Sequence, residues 1–411
     1  MEIKRWVGLL TLTMLFAGWG AWAQTVRILD GQSTTDAGIE KIIDAAVAAK
    51  YPNIKLDWEI VSWGSELNAK VQQYVQSGLP DIIVGKGQDL ATYSSKKILA
   101  PITGKPYLGN VLDAAVKSAT FDGKVYGLEY NALYQGVYYN RKIFQDNNLS
   151  IPKTQAELAA LIQKLNGLGI TPFATHFIDA WSIGNITMQF AINDIFSKDP
   201  RWAEKFRAGT VSYATSPEAR TIYGYDKLLY DNTWKSETFS LPQTQADARL
   251  VQGKAAMKVS GSWSIQNFLD VDPDFDFGVF PFPNQAGNAK LIFEPNITFM
   301  KSATTKYSDL VDKVFDAITS DKKAAQAIYD LTKTAPLIKG VTPSYKNPSQ
   351  KDIDALAAKG QLVDANTGNL QLVWGGFQDE NAKDIAAWLQ GTETLDQALK
   401  AADSRRAVSK P

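Results

Sequence analysis

One short stretch of the chain gathers residues with chemistry to offer: His176, Phe177, Ile178, Asp179, Ala180 and Trp181. An ionised carboxylate only accepts hydrogen bonds, so Asp179 suits hydroxyl donors. A flat ring two residues away, Trp181, suits the apolar face of a polyol. The other candidates are of the same kinds. Gln32, Gln88, Asn131 and Asn296 are amides, Trp63, Trp263 and Trp374 are rings, and Glu294 is a second acceptor. Phosphates, polyamines or peptides call for strongly charged loops, whereas amides, hydroxyls and aromatic rings suit neutral polyols. Each candidate also has a plainer role open to it. Asp179 can cap a helix beginning near Trp181, and Trp63 can staple a helix start. Gln32 and Gln88 can be solvated loop residues, and Trp374 a buried helix residue.

Other chemistries leave little trace. The chain has one histidine and no cysteine, which excludes multi-histidine metal sites, thiolate zinc sites and cysteine nucleophiles. Gly85-Lys86-Gly87-Gln88 begins like a dinucleotide loop but has Leu90 where the third glycine belongs. No phosphate-binding Gly-x-x-x-x-Gly-Lys-Ser/Thr occurs, and Ser260-Gly261-Ser262 is not a nucleophile elbow. A glycoside hydrolase needs only two carboxylates, and Glu129, Asp179 and Glu294 are available, so this remains the lesser alternative. No catalytic residue, metal or cofactor is expected. Tyr138-Tyr139 could form a ferric-iron pair, but alternation along a strand turns only one of them to a given ligand.

These residues need elements to hold them. A chain of 411 residues implies two domains. Lysine plus arginine balances aspartate plus glutamate, 43 against 43, without the basic excess of a nucleic-acid binder. Lys4 and Arg5, the apolar run Trp6 to Phe16 and Ala21-Trp22-Ala23 before Gln24 read as a cleaved signal peptide over residues 1–23. Without cysteine the exported chain has no disulfide and no lipid attachment, which points to the periplasm. Val26 to Leu29 reads as a strand, and Asp36 as the cap of a helix bearing Ile39, Ile42, Ile43, Ala46 and Val47 on one face. Ile54 to Ile60 alternates as a strand, Leu67 to Val75 reads as a helix, and Asp81 to Val84 as a buried strand. That order predicts an α/β lobe with a largely parallel core. Ligands of such sheets dock beyond the carboxyl ends of the strands, which singles out Gln32, Trp63 and Gln88. Asp122-Gly123 marks a turn, and Ala132 to Tyr139 a long strand crossing between lobes. Thr154 to Glu157 and Thr394 to Gln397 have the capping-box pattern at two further helix starts.

Several stretches, in this order and spacing, resemble the maltose-binding-protein-like solute-binding proteins of ABC importers. They are Ser77-Gly78-Leu79-Pro80-Asp81-Ile82, Phe121 to Asn140 with its Asp-Gly-Lys-x-Tyr-Gly start, Pro152-Lys153-Thr154 through Gly169-Ile170-Thr171-Pro172, and Gly253 to Trp263. Asp276 to Pro283 and Gly391 to Leu399 complete the set. The resemblance implies an α/β, two-lobed periplasmic-binding-protein-like (type II) fold with hinge-crossing strands. The lobes expected from it are 24–136 with 286–335, and 137–285 with 336–411. Phe293 to Met300 is expected as a return strand to the first lobe. The implied function is capture of a mono- or oligosaccharide between the lobes and delivery to the transmembrane permease subunits, by a monomer. A different solute on the same fold, ferric iron or a phosphorylated polyol, is the alternative. The resemblance also implies stacking rings at Trp181, Trp263 and Trp374, with Asn131, Glu294 and Asn296 meeting the ligand from the hinge side.

Overall fold

The strand Asn131–Asn140 divides the molecule, and the computed structural model, which describes residues 24–33, 36–367 and 377–406, shows how. The signal-peptide region and Trp374 lie outside the described residues.

Before that strand come β1 (Gln24–Gln32), helix α1 (Ile39–Lys50), β2 (Ile54–Ser62), helix α2 (Ser65–Ser77) and β3 (Ile82–Gly85). β1 lies parallel between β2 and β3, as the strand–helix alternation predicts. The hairpin β4 (Thr120–Phe121) and β5 (Lys124–Val125) turns at Asp122-Gly123, both with positive φ. It leads to β6 (Gly127–Glu129) and then β7 (Asn131–Asn140). Helix α3 (Gln155–Gly167), β8 (Thr171–Phe173), helix α4 (Ala180–Ala191), β9 (Ala255–Gly261) and β10 (Phe277–Phe280) follow. The chain continues through β11 (Leu291–Pro295), β12 (Thr298–Lys301), helices α5 (Ser308–Ser320) and α6 (Lys322–Thr332), β13 (Ala335–Pro336), β14 (Leu362–Asp364), α7 (Phe377–Leu389) and α8 (Leu395–Ser404).

Two sheets result. The first has the order β2-β1-β3-β12-β6, and the second β14-β11-β7-β9-β8 with β10 and β13 also on β7. Each carries its own apolar core. Val26, Ile28, Ile83, Phe299 and Phe315 belong to the first, and Val137, Phe173, Met257, Phe280 and Phe377 to the second. This is the two-lobed α/β fold.

Four expectations need correction. The sheets change over at Tyr130 and at Asn296-Ile297, because all of β7 and β11 pairs within the second sheet. Residues 131–136 and 291–295 therefore side with the second sheet. Phe293 to Met300 is thus two strands, and Pro295, which lacks a backbone donor, ends the first of them. Asp36 does not cap α1: Gly38, at φ 97°, holds that position, and the Asp36 carboxylate is engaged elsewhere. Of the two capping boxes, the one at Thr394 forms in full. Thr154 caps with its hydroxyl, but Glu157 reaches past it to the Lys153 N–H.

Asn131 stitches the crossing together. Its Oδ1 accepts from the Ile297 N–H at 2.7 Å, its Nδ2 donates to Thr334 Oγ1 at 2.7 Å, and its carbonyl accepts from the Asn296 N–H at 2.9 Å. Three chain passages therefore meet on one residue that is fully buried.

Candidate functional site

The carboxyl ends of β1 and β3 lie side by side, and the residues after them form the first half of the site. Lys86 follows β3 and makes a buried ion pair with Asp36. The same carboxylate accepts from Ser33 Oγ at 2.6 Å and, through its other oxygen, from Asn296 Nδ2 at 3.0 Å. Burial alone would raise the Asp36 pKa, but the Lys86 charge and these hydrogen bonds hold it below the usual carboxylate range. Gln32 Nε2 donates to Asp30 at 2.8 Å and to Glu40 at 3.3 Å. Asp30 itself is pushed up to about 7 by burial. Trp63 Nε1 donates to Asp89 at 3.0 Å, and the Lys86 ammonium sits 6.0 Å from the centre of the Trp63 ring. Gln88 is buried, and its Oε1 has no hydrogen-bond partner.

The second half is aromatic. β9 ends at Gly261, and a single 3-10 turn, Ser262–Ser264, carries Trp263. The Trp263 ring lies against the Gly261 backbone so closely that a Cβ there would collide with it. The β7–β9 register sets Gly261 opposite Gln135, and the Tyr134 N–H donates to Ser262 Oγ at 3.1 Å. Trp181, in the first turn of α4, meets Trp263 edge to face at 6.2 Å and 75°. It meets His176 in the same way at 6.0 Å and 65°. Trp181 keeps 37% of its surface exposed and Trp263 is half-buried. Asp179 is exposed at the cap position of α4, but its side chain makes no capping bond. His176 is buried with both ring nitrogens unpartnered, and the Trp263 Nε1 is unpartnered as well. Burial, with the Lys258 charge nearby, holds His176 well below its usual pKa, so the ring is neutral.

Gln135 joins the halves. It lies opposite Gly261 on one side and Ile292 of β11 on the other, and its Nε2 donates to Glu294. Glu294 is raised to about 7, chiefly by burial, with Gln135 and Lys86 opposing. The structure thus brings Gln32, Trp63 and Gln88 to one side and Asp179, Trp181 and Trp263 to the other, with Glu294 on β11 of the second sheet beside Gln135. Asn131 and Asn296 stand between them with their amides engaged by protein groups.

The sequence analysis did not single out Lys86 or Gln135, and it named Glu129 only as a carboxylate for the hydrolase alternative. Lys86 was visible as the residue directly beyond β3, within a motif that fails as a dinucleotide loop. Nothing in the sequence marks Gln135 among the other inward-facing residues of β7. The tyrosine pair is no iron site: Tyr138 is buried and donates to the Tyr134 carbonyl at 3.0 Å, while Tyr139 packs on Phe144 and Phe280. Among the described residues no group of three or more histidines and carboxylates is placed to hold a metal. A recess of about 800 Å³ lined by Gln24, Lys50, Tyr51 and Lys313 opens at the amino ends of β1 and β2. It contains none of the candidates, which cluster at the carboxyl ends where ligands of such sheets bind.

Residues 16–325 match the family described as bacterial extracellular solute-binding protein. The multiple sugar-binding protein of Streptococcus mutans is 24% identical over 79% of this chain and 78% of its own length. Among solved structures, a Bacillus licheniformis sugar transporter in complex with stachyose superposes with a TM-score of 0.76 at 16% identity, covering 94% of this chain and 100% of that one. The apo form of RafE from Streptococcus pneumoniae superposes with a TM-score of 0.73 at 18% identity, covering 95% and 99%. These likenesses carry the fold.

Proposed function

Because this chain belongs to the bacterial extracellular solute-binding protein family, we propose that it captures a mono- or oligosaccharide between its lobes and delivers it to the permease of an ABC importer. The observation that carries this reading is the aromatic corner. Trp181 and Trp263 present ring surface and an unpartnered indole N–H, next to the unpartnered nitrogens of His176. Across the crossing, Gln88 Oε1 and Gln135 Oε1 are buried and equally unpartnered. Buried polar atoms left without partners cost about 1–3 kcal/mol each, and a bound polyol would satisfy several at once. Rings for the apolar face and mixed donors and acceptors for the hydroxyls are the chemistry of a neutral sugar site. The sugar-binding names of the relatives support the same ligand class.

Gln32, Trp63, Gln88, Asp179, Trp181, Trp263 and Glu294 line the proposed site, with Trp374 added from the sequence. Asn131 and Asn296 act through the crossing. Binding draws the lobes together by rotation about Tyr130-Asn131 and Asn296-Ile297, the general behaviour of periplasmic binding proteins. The protein binds its solute without transforming it. It works as a periplasmic monomer that starts near Gln24 after removal of residues 1–23, which mass spectrometry of a periplasmic extract would check.

A thermal-shift screen of sugars, phosphorylated polyols and ferric iron tests the function. A sugar present at 100-fold its dissociation constant is expected to stabilise the protein by about 2.7 kcal/mol. Stabilisation by iron or a phosphorylated polyol, and by no sugar, would contradict the reading.

A further inference from the structure

Where the two sheets meet stands a buried carboxyl that the site described above does not use. Glu129, the last residue of β6, is only 1% exposed, and neither of its carboxyl oxygens has a hydrogen-bond partner. It sits against the loop after β3: a Cβ on Gly87 would come within 3.1 Å of Glu129 Oε1, so a glycine leaves room for the carboxyl. Ser118 stands near it without a well-formed hydrogen bond. Opposite it in register is Thr298, and Gln88 follows Gly87 directly. Asp364, at the end of β14, faces it from the second sheet, next to Glu294 on β11. Asp30, Glu129, Glu294 and Asp364 thus gather around the crossing, and the one buried lysine among them, Lys86, is committed to Asp36.

The unpartnered atoms here are mostly of one kind. Both Glu129 oxygens, Gln88 Oε1 and Gln135 Oε1 are acceptors, only the Ser118 and Thr298 hydroxyls beside them can each give one proton, and the Gln135 amide nitrogen is already used on Glu294. A ligand hydroxyl brings one donor and two lone pairs, and the lone pairs would face acceptors. An ammonium group brings three donors and no lone pair. It also supplies the positive charge that the buried carboxyls lack. We propose that the captured saccharide carries a protonated amine, as an amino sugar does, and that Glu129, with Gln88 and Gln135, holds that amine. This inference rests on the carbohydrate reading above and narrows it. Burial and the nearby Asp364 charge raise the Glu129 carboxyl well above its usual range, which favours its protonated form in the free protein. An arriving ammonium favours the carboxylate, and that proton leaves to solvent as the ion pair forms. Affinity for the amine therefore falls as the pH is lowered.

The test is calorimetric titration of the mature protein with sugars paired by structure: glucose with glucosamine, galactose with galactosamine, and cellobiose with the β-1,4-linked glucosamine disaccharide. The best amine is expected to bind at least tenfold more tightly than its neutral counterpart at pH 7, and more weakly at pH 5. Its binding heat should vary with the ionisation heat of the buffer, reporting proton release. Glu129→Gln should reduce the amine preference at least tenfold. Equal affinity within every pair would overturn the amine assignment and leave the carbohydrate reading in place. No heat with any of the three amines, when the thermal-shift screen has found a neutral sugar that binds, would likewise overturn the amine assignment alone. If Glu129→Gln does not fold, Gln88→Ala decides: an unchanged amine preference in that folded variant contradicts the place given to the amine.

Discussion

The crossing and the aromatic corner use similar residues to opposite ends. At the crossing, Asn131, Asn296, Asp36 and Lys86 are buried and bonded to one another across chain passages far apart in sequence. At the corner, Trp181 stays partly exposed, Asp179 is fully open, and His176 and Trp263 keep unpartnered nitrogens. An amide in the first place fixes where two lobes meet, whereas a ring or carboxylate in the second is left for something else to satisfy. Residue type alone does not separate scaffold from site; the separation lies in whether the protein has already used the side chain's hydrogen bonds.

The largest effect that would sharpen this contrast is at Lys86. Lys86→Met leaves the buried Asp36 carboxylate without its cation, and urea denaturation at pH 7 should show a loss of about 3–5 kcal/mol. A loss below about 1 kcal/mol would mean that the pair does not brace the crossing. Asn131→Ala comes next. It removes two side-chain hydrogen bonds and strands the buried Ile297 N–H, for about 2–3 kcal/mol of stability with sugar affinity little changed. An affinity loss larger than the stability loss would move Asn131 from scaffold to site.

The corner should respond the other way. Trp263→Ala is expected to weaken sugar binding by about 1–3 kcal/mol, on the scale of aromatic stacking on nucleic-acid bases. Asp179→Asn should weaken it about tenfold, or about 1.4 kcal/mol, with the melting temperature of the free protein unchanged, since no capping bond is lost. Unchanged affinity in that variant would remove Asp179 from the site.

In the pH dependence the two regions oppose each other, so the net effect on the wild-type protein is small. His176 is the only histidine, and its pKa is depressed by burial. As the pH falls below about 6.5 the unfolded chain takes up a proton that the folded one refuses, so stability drops by up to about 1.4 kcal/mol per pH unit. Asp30 and Glu294 are raised to about 7. They keep protons in the folded state that the unfolded chain releases, so their contribution is full below about pH 4 and is lost as the pH rises towards 7. Melting curves between pH 4 and 8 should therefore steepen in opposite senses for His176→Phe and Glu294→Gln. Parallel curves for both variants would contradict the burial assigned to these groups.

Much of this arrangement is readable from the sequence where the signal is local. The apolar faces of α1 and α2, the buried run of β3 and the glycine under Trp263 all follow from residues within a turn or two of one another. Asp179 and Trp181 stand out in the sequence for the same local reason, although Trp181 lies in the first turn of α4 rather than in a loop. What does not show is pairing across sequence distance. Asp36 has the pattern of a helix cap, yet its partners Lys86 and Asn296 lie 50 and 260 residues away. Gln135 looks like any inward residue of β7 until the registers with β9 and β11 place it between Gly261 and Glu294. The break at Pro295 was present in the sequence, but only the sheets show which side each half joins.

The rings of the corner hold the sugar, whereas Asn131, Asn296, Asp36 and Lys86, bonded to one another, hold the lobes. Calorimetric titration of the best sugar from the thermal-shift screen into Trp181→Ala/Trp263→Ala, beside the wild-type protein, tests this division most directly. The account predicts tight binding by the wild type and an affinity at least tenfold weaker, about 1.4 kcal/mol, in a double variant that still unfolds cooperatively. Wild-type affinity in that folded variant would place the ligand elsewhere and contradict the account.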